Sequence, residues 1–482
     1  MWPLPPSRMV SRECSRDVVS WWLTIHAAGV EPLTMRNPCP PGTRRFRARA
    51  AAAAVALPLL AIVPSASGAA SADAVTPPAK PTASSGWISH VTWTSQQIAR
   101  GVTVRTGVSR SPAEQIREAI IDPRLARVEV THHGIIAQRQ RTSAVAAALH
   151  SLVATNAGFF ITSSSFGFQG VPDGLAVYAG QVQSMNNGAR AALIISGGQP
   201  RIADVEAFVK VTRVGQSSYQ VNGINRVPGI VEDCGRPGSL PTSKPRQDVT
   251  CTVKSELVLF TSQFGASAPR GSGTQAVLNS KGTVLSAGRQ AGGRVPAGGW
   301  VIQGIGAAGA WLARYAVVGR HLSVSERIAD TAGHTIPLTS GVSVGSAAPV
   351  LVSNGRVAID ADSEGVLVPG DPSFGYAWAE EPQPRTSAGI NRSGDLILVT
   401  VDGRQPGFSE GVTLAEEASL MLSLGAVSAM NLDGGGSTAM AVKGRLVNRP
   451  SDGTERADGD FVVALPPALG GLARSSLPIQ TA

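Results

Sequence analysis

The chain has 482 residues, of which 43% are hydrophobic and 16% charged, which suits one large domain with appendages or two to three average ones around a sizeable core. With 54 Gly and 33 Pro, turns must be frequent and long helices few. The formal charge of +9 falls to +5 without residues 1–74, which hold 8 of the 42 Lys+Arg and 4 of the 33 Asp+Glu; so mild a charge, with no basic run interleaved with aromatics, excludes a nucleic-acid binder.

Residues 1–74 read as a leader and signal segment. Arg44, Arg45, Arg47 and Arg49 form a positive stretch, and Ala50 to Val63 form a short apolar one. Ala70-Ser71-Ala72 and Ala72-Asp73-Ala74 follow as small-residue cleavage sites. The apolar run is too short for a good membrane span, so no stable span is expected after processing. We expect export to the cell exterior, with cell-wall association and a mature chain starting near Val75. Two cysteines then remain, Cys234 and Cys251, flanking a Pro- and Gly-rich loop. An oxidising compartment joins such a pair as a disulfide. With no His near either, a zinc site is not expected.

Residues 75–94 are a Pro/Ala/Ser linker and the start of the mature chain, and short β-type runs dominate from Trp87 onward. His132-His133 closes one of them and reads as a strand end. Thr142 to Leu152 is an Ala-rich helix, leading into the strand Leu152–Thr155 and then Asn156-Ala157-Gly158-Phe159-Phe160. Further strands follow at 174–177, 191–195 and 257–261.

Two later stretches imitate familiar motifs. Gly304-Ile305-Gly306-Ala307-Ala308-Gly309, between a strand and a helix and followed by Glu326, mimics a dinucleotide-binding turn. The β-rich surroundings argue against it. Gly341-Val342-Ser343-Val344-Gly345 fits the nucleophile-elbow pattern of serine hydrolases, yet a strand at Val350–Ser353 follows where an elbow needs a helix.

The densest region begins at Pro384-Arg385-Thr386-Ser387-Ala388-Gly389-Ile390, and the strand Leu396–Val401 then delivers Asp402-Gly403-Arg404. Ser409-Glu410-Gly411 leads into a helix that Thr413 and Glu416 open with a capping box and Gly425 stops. A short strand, Val427–Leu432, ends in Asp433, Gly434, Gly435, Gly436 and Ser437, and a hairpin turning at Lys443-Gly444 follows. A carboxylate on a rigid strand end beside three bare backbones suits a ligand site, because glycines let main chain approach and aim N–H groups at an anion.

Taken together, NAGFF at 156–160, GINR at 223–226, PRTSAGI at 384–390, LVTVDGR at 398–404, the run 409–437 with NLDGGGS, and VNRPSDGTER at 447–456 resemble the phosphodiester glycosidase family. The resemblance covers residues 95–466 and implies an α+β fold, a β-rich mixed-sheet catalytic domain with a few packed helices, followed by a tail at 467–482. It also implies hydrolysis of a sugar-1-phosphodiester to free sugar and phosphomonoester, with no cofactor or metal. The partner would be a carbohydrate-phosphate substrate, on a cell-wall polymer or other extracellular glycan.

On that basis Asp433 is the expected catalytic carboxylate, with Asp402 as a second carboxylate or orienter. Arg385 and Arg404 are expected to grip phosphate, and the Gly434, Gly435 and Gly436 amides to add donors. Asn156, Asn225 and Ser437 are expected at sugar hydroxyls, with Gly158, Thr386 and Ser409 completing the substrate-binding set. For Arg226 and Arg456 a structural ion pair competes with phosphate binding. Two alternatives stay open: a sugar-phosphate-binding protein of the same fold without turnover, and a serine hydrolase using Ser343.

Overall fold

The computed structural model describes residues 85–164, 167–232, 234, 250–367 and 372–467. The leader, its cleavage sites, the linker at 75–84, residues 235–249 of the cysteine-flanked loop and the tail from 468 lie outside the described residues.

Arg385–Gly389 and Leu396–Val401 are buried at every position, the pattern of strands covered on both faces. They sit inside an antiparallel eight-stranded sheet. Its order runs Thr92–Ala99, Val102–Arg110, Ala113–Ile121, Leu396–Val401, Arg385–Asn391, Ala426–Asn431, Val350–Ser353, Arg356–Val357. A second large sheet is built on the long strand Gln199–Arg213, which lies between Arg190–Ser196 and Ser323–Asp330. Of two five-stranded sheets, one matters for the site: Val153–Asn156 lies between Met440–Val442 and Phe461–Leu465, and Arg127–Thr131 forms an edge. The chain is thus β-rich, as expected, and the longest helices among the described residues have ten residues.

The helix Leu414–Ser423 shows why the sequence folds as it does near the site. Thr413 Oγ1 accepts from the Glu416 amide at 3.1 Å, and Glu416 Oε2 accepts from the Thr413 amide at 3.0 Å, which satisfies two otherwise orphaned donors. Leu414, Ala418 and Met421 are buried against Ile397, Val399 and Ala429 of the sheet, and full burial of each larger side chain is worth about 1.5–3 kcal/mol. Gly425, at φ +90°, ends the helix and turns the chain into Ala426–Asn431. The expected hairpin is present too, with Lys443 and Gly444 both at positive φ.

Neither imitated motif has the required architecture. Trp300–Ile305 is antiparallel to both its neighbours, and Glu326 lies in a strand of a different sheet, so no parallel β-α-β unit forms. Ser343 lies within the strand Val342–Ser346, its hydroxyl accepting from the Val130 amide at 2.9 Å. Cys234 and Cys251 do form the expected disulfide, with Cα atoms 6.1 Å apart. No helix among the described residues is long and apolar enough to cross a membrane.

Candidate functional site

Two sheets bring their strand ends together at Asp433. Leu432 donates its amide to Thr386 O at 2.7 Å and Asp433 donates its own to Ala157 O at 2.8 Å. Asn156 Nδ2 donates to Asp433 O at 2.5 Å, while Asn156 Oδ1 accepts from Thr386 Oγ1 at 2.9 Å and from the Ala439 amide at 3.1 Å. Asn156 and Thr386 therefore pin the turn from beneath, and Asp433 itself stays half-buried. This corrects their expected contact with sugar, since their polar atoms are spent inside the protein.

The glycines after Asp433 are needed for what lies over them. Gly435 adopts φ +58° and a Cβ there would lie 3.3 Å from Arg404 Nη2. A Cβ on Gly436 would collide with Arg456 and Asp452. Two guanidiniums thus close onto the turn Gly435–Ser437. Arg404 is steadied by Gln383 Oε1 at 2.6 Å, and Arg456 donates to Asp452 at 2.7 Å and to Ser437 Oγ at 3.4 Å. Burial lowers the Arg404 pKa, with Asp452 opposing and the positive charge of Arg456 adding to the shift. The Gly435 amide donates to Pro384 O at 2.8 Å, which corrects its expected role as a donor to ligand.

Two carboxyls at this site were not foreseen from the sequence. Asp460 Oδ1 accepts from the Gly158 amide at 2.8 Å and Oδ2 accepts from Tyr178 Oη at 3.0 Å. One peptide, Ala157–Gly158, therefore holds Asp433 through its carbonyl and Asp460 through its N–H. Burial pushes the Asp460 carboxyl up to about 6 against these hydrogen bonds, with the charge of Asp433 pushing the same way as burial. Asp458, on the short strand Ala457–Asp458, is fully buried, and burial followed by repulsion from Asp433 holds its carboxyl well above the usual range. Asp458-Gly459-Asp460 directly precedes the apolar run Phe461–Leu465, a pattern that reads equally well as an exposed turn, so only the fold shows both carboxyls buried. Tyr178 also lines a cavity of about 580 Å³ with His132, Gln181, Gln263 and Ser343.

The remaining expected residues are braces. Asp402 accepts from Asn448 Nδ2 at 2.9 Å and from the Arg449 amide at 3.0 Å, and Asn448 in turn donates to Thr438 O. Its carboxylate supports the segment behind Ser437, which corrects its place as a second carboxylate facing ligand. Arg385, only 3% exposed, gives Nε to Val412 O and Nη2 to Trp378 O and lies 3.9 Å from Glu417. Those bonds, rather than a phosphate, occupy its fork, and the expected bidentate grip is corrected accordingly. The Ser409 hydroxyl lies within hydrogen-bond distance of Glu114 Oε2 and Asp402 O, at 2.8 and 2.7 Å, and accepts from the Gln115 amide. Asn225, at φ +58°, ties Gln183 to Thr261. Neither has a polar atom left for sugar, and Gly158 serves Asp460; these three expectations are corrected as well. Arg226 pairs with Glu256 at 2.6 Å, a structural ion pair. Among the described residues no group of three or more His, Cys, Asp or Glu is placed to hold a metal ion.

Two guanidiniums over the glycine turn that follows Asp433, on a β-rich scaffold, suit an anionic ligand. Residues 272–465 match the model of the phosphodiester glycosidase family. Over 131 residues it is 34% identical to the bovine (Bos taurus) N-acetylglucosamine-1-phosphodiester alpha-N-acetylglucosaminidase, covering 26% of this chain and 23% of that protein. Over 82 residues it is 45% identical to the SPbeta prophage-derived uncharacterized protein YomE of Bacillus subtilis (strain 168), covering 17% of this chain and 13% of that one. The chain thus spans less than a quarter of the length of these curated relatives. A crystal structure of a Burkholderia pseudomallei protein superposes with a TM-score of 0.66 at 30% identity, over 73% of this chain and 74% of that one. A hypothetical protein from Synechocystis shares the fold at a TM-score of 0.60 and 21% identity, over 78% and 64% of the two chains.

Proposed function

We propose that the mature chain is a secreted glycosidase that hydrolyses a sugar-1-phosphodiester of the N-acetylglucosamine type to free sugar and phosphomonoester, on a cell-wall or other extracellular glycan. The observation that carries this reading is the pair of guanidiniums, Arg404 and Arg456, closing over bare glycine backbone beside Asp433. In this reading the phosphodiester sits under Arg404 and Arg456, with the Gly434 and Gly436 amides and Ser437 beside it. The anomeric carbon faces Asp433.

The bond from the anomeric carbon to the bridging phosphate oxygen breaks, and its electron pair stays on that oxygen. A phosphate monoester leaves as an anion with a second pKa of about 6, so cations and N–H groups stabilise it without a strong acid. Asp433 stabilises the electron-poor carbon, as base or nucleophile, and water supplies the hydroxyl of the released sugar. The proton it loses is taken up by the carboxylate or by phosphate. Asp402 acts through Asn448 to hold the turn, and Arg385 through Val412 and Trp378 to hold the strand beside it.

The test is a screen of the mature protein against sugar-1-phosphodiesters differing in sugar and in anomeric configuration, with released sugar as the readout. Release of sugar from at least one supports the reading. Tight binding without release would assign the fold to glycan-phosphate binding instead.

A further inference from the structure

Asp458 has no task in the mechanism above, yet it lies where an ionised carboxylate is hardest to keep. It is 1% exposed. The Ser437 hydroxyl faces it and favours the charged form, but no full hydrogen bond closes on either oxygen. Gln140, directly opposite it across the strand pair, carries a buried amide oxygen that also lacks a donor. Opposed residues of an antiparallel pair hold their Cβ atoms about 4.5–5.5 Å apart, which makes the two side chains neighbours, and a carboxylic O–H on Asp458 adds a donor on the same face of the pair as that orphaned acceptor. An ionised carboxylate in the same place would bear a desolvation cost that the Ser437 hydroxyl and the Arg456 charge offset only in part.

The charged groups around Asp458 are Asp433 from the glycine turn and Glu455 and Arg456 from its own segment. Arg141 lies on the paired strand opposite Ala457, and Glu455 is occupied by Ser143. Across the whole site, Asp433, Asp452, Glu455, Asp458 and Asp460 meet Arg404 and Arg456. With all five carboxyls charged, acids outnumber cations five to two, and an anionic ligand is repelled.

Resting on the proposed glycosidase reading, we propose that Asp458 is a positioning residue that works as a neutral acid. Uncharged, it donates into its own strand pair, leaves Asp433 as the reacting anion and removes one unit of repulsion from the phosphate site. Charged, it closes that site. The consequence is an upper pH limit on turnover set by a group that never touches substrate.

Two measurements test this. In the mature protein labelled with carbon-13 at aspartate carboxyls, the Asp458 resonance, assigned through the backbone of Ala457–Gly459, should titrate well above the ordinary aspartate range. Titration within that range overturns the proposal, and this readout needs neither a variant nor a substrate. For a phosphodiester that is turned over, Asp458→Asn keeps a neutral donor that cannot ionise, so the alkaline limb of kcat/KM should move up by roughly one pH unit or more, or vanish. A limb that stays in place in the folded variant overturns the role in turnover. If no phosphodiester is hydrolysed, the glycosidase reading fails separately, and the carbon-13 titration still decides whether Asp458 is a neutral acid.

Discussion

Asp433→Asn preserves shape and most hydrogen-bonding atoms while removing the charge that faces the anomeric carbon in the proposed reaction. Turnover should fall by several powers of ten with little change in substrate affinity, because an interaction made only in the transition state lowers kcat rather than binding. Arg404→Ala should weaken both, since its guanidinium meets phosphate before and during bond cleavage. Kinetics run beside a binding assay separate the two, and near wild-type turnover in Asp433→Asn would remove the central assignment. Arg385→Ala makes the opposite case. Its fork is committed to Val412 O and Trp378 O, beside buried Glu417. Breaking such a buried arrangement costs about 3 kcal/mol of stability, to be read from urea unfolding, and a loss of phosphate affinity without loss of stability would contradict this role.

The helix Leu414–Ser423 and the strand Ala426–Asn431 together deliver Asp433, and their ends are fixed by chain-local chemistry. Removing the cap with Thr413→Ala should cost about 1 kcal/mol, visible as a lowered melting temperature. Activity should change little, because the strand remains pinned by Leu432 to Thr386 and by Asp433 to Ala157. These elements were legible in the sequence for the same reason: Thr413, Glu416 and Gly425 act on neighbours three to four residues away. The two imitations failed at this scale. Gly304–Gly309 and Gly341–Gly345 have the right letters, but the strands that carry them pair antiparallel inside sheets.

Over the whole molecule, burial has accumulated carboxyls that resist ionisation. Desolvation raises Glu114, Glu118, Glu364 and Glu417 from 4.5 to about 7 each. Between pH 4.5 and 7 the folded chain therefore keeps protons that the unfolded chain has released. The stability these groups contribute is fully present at the acid end and is lost as pH rises through their folded values. Thermal melts across this window should show the melting temperature falling as pH rises, then levelling. Asp330 has the opposite sign, lowered from 3.8 to about 2 chiefly by Arg201, but it acts only below its unfolded value. A melting temperature that climbed through the window would show these glutamates to be ionised in the fold.

What depends on near neighbours is written in consecutive residues: the capped helix, its glycine stop, the strand into Asp433, the bare turn after it and the hairpin at Lys443-Gly444. Propensity, capping and positive φ are properties of a few consecutive residues, so they survive being read without the fold. Tertiary structure alone decided which polar groups face one another across the chain. Asn156 and Asp433 are 277 positions apart, and Ser409 and Glu114 are 295 apart. Burial and pairing at that range turned Asp402, Arg385, Ser409 and Asn225 into braces. The same contacts set Arg404 and Arg456 over the glycines and brought Asp458 and Asp460 beside Asp433. A residue's charge state and availability follow from how much water and which partners surround it, and those are fixed only when distant segments meet.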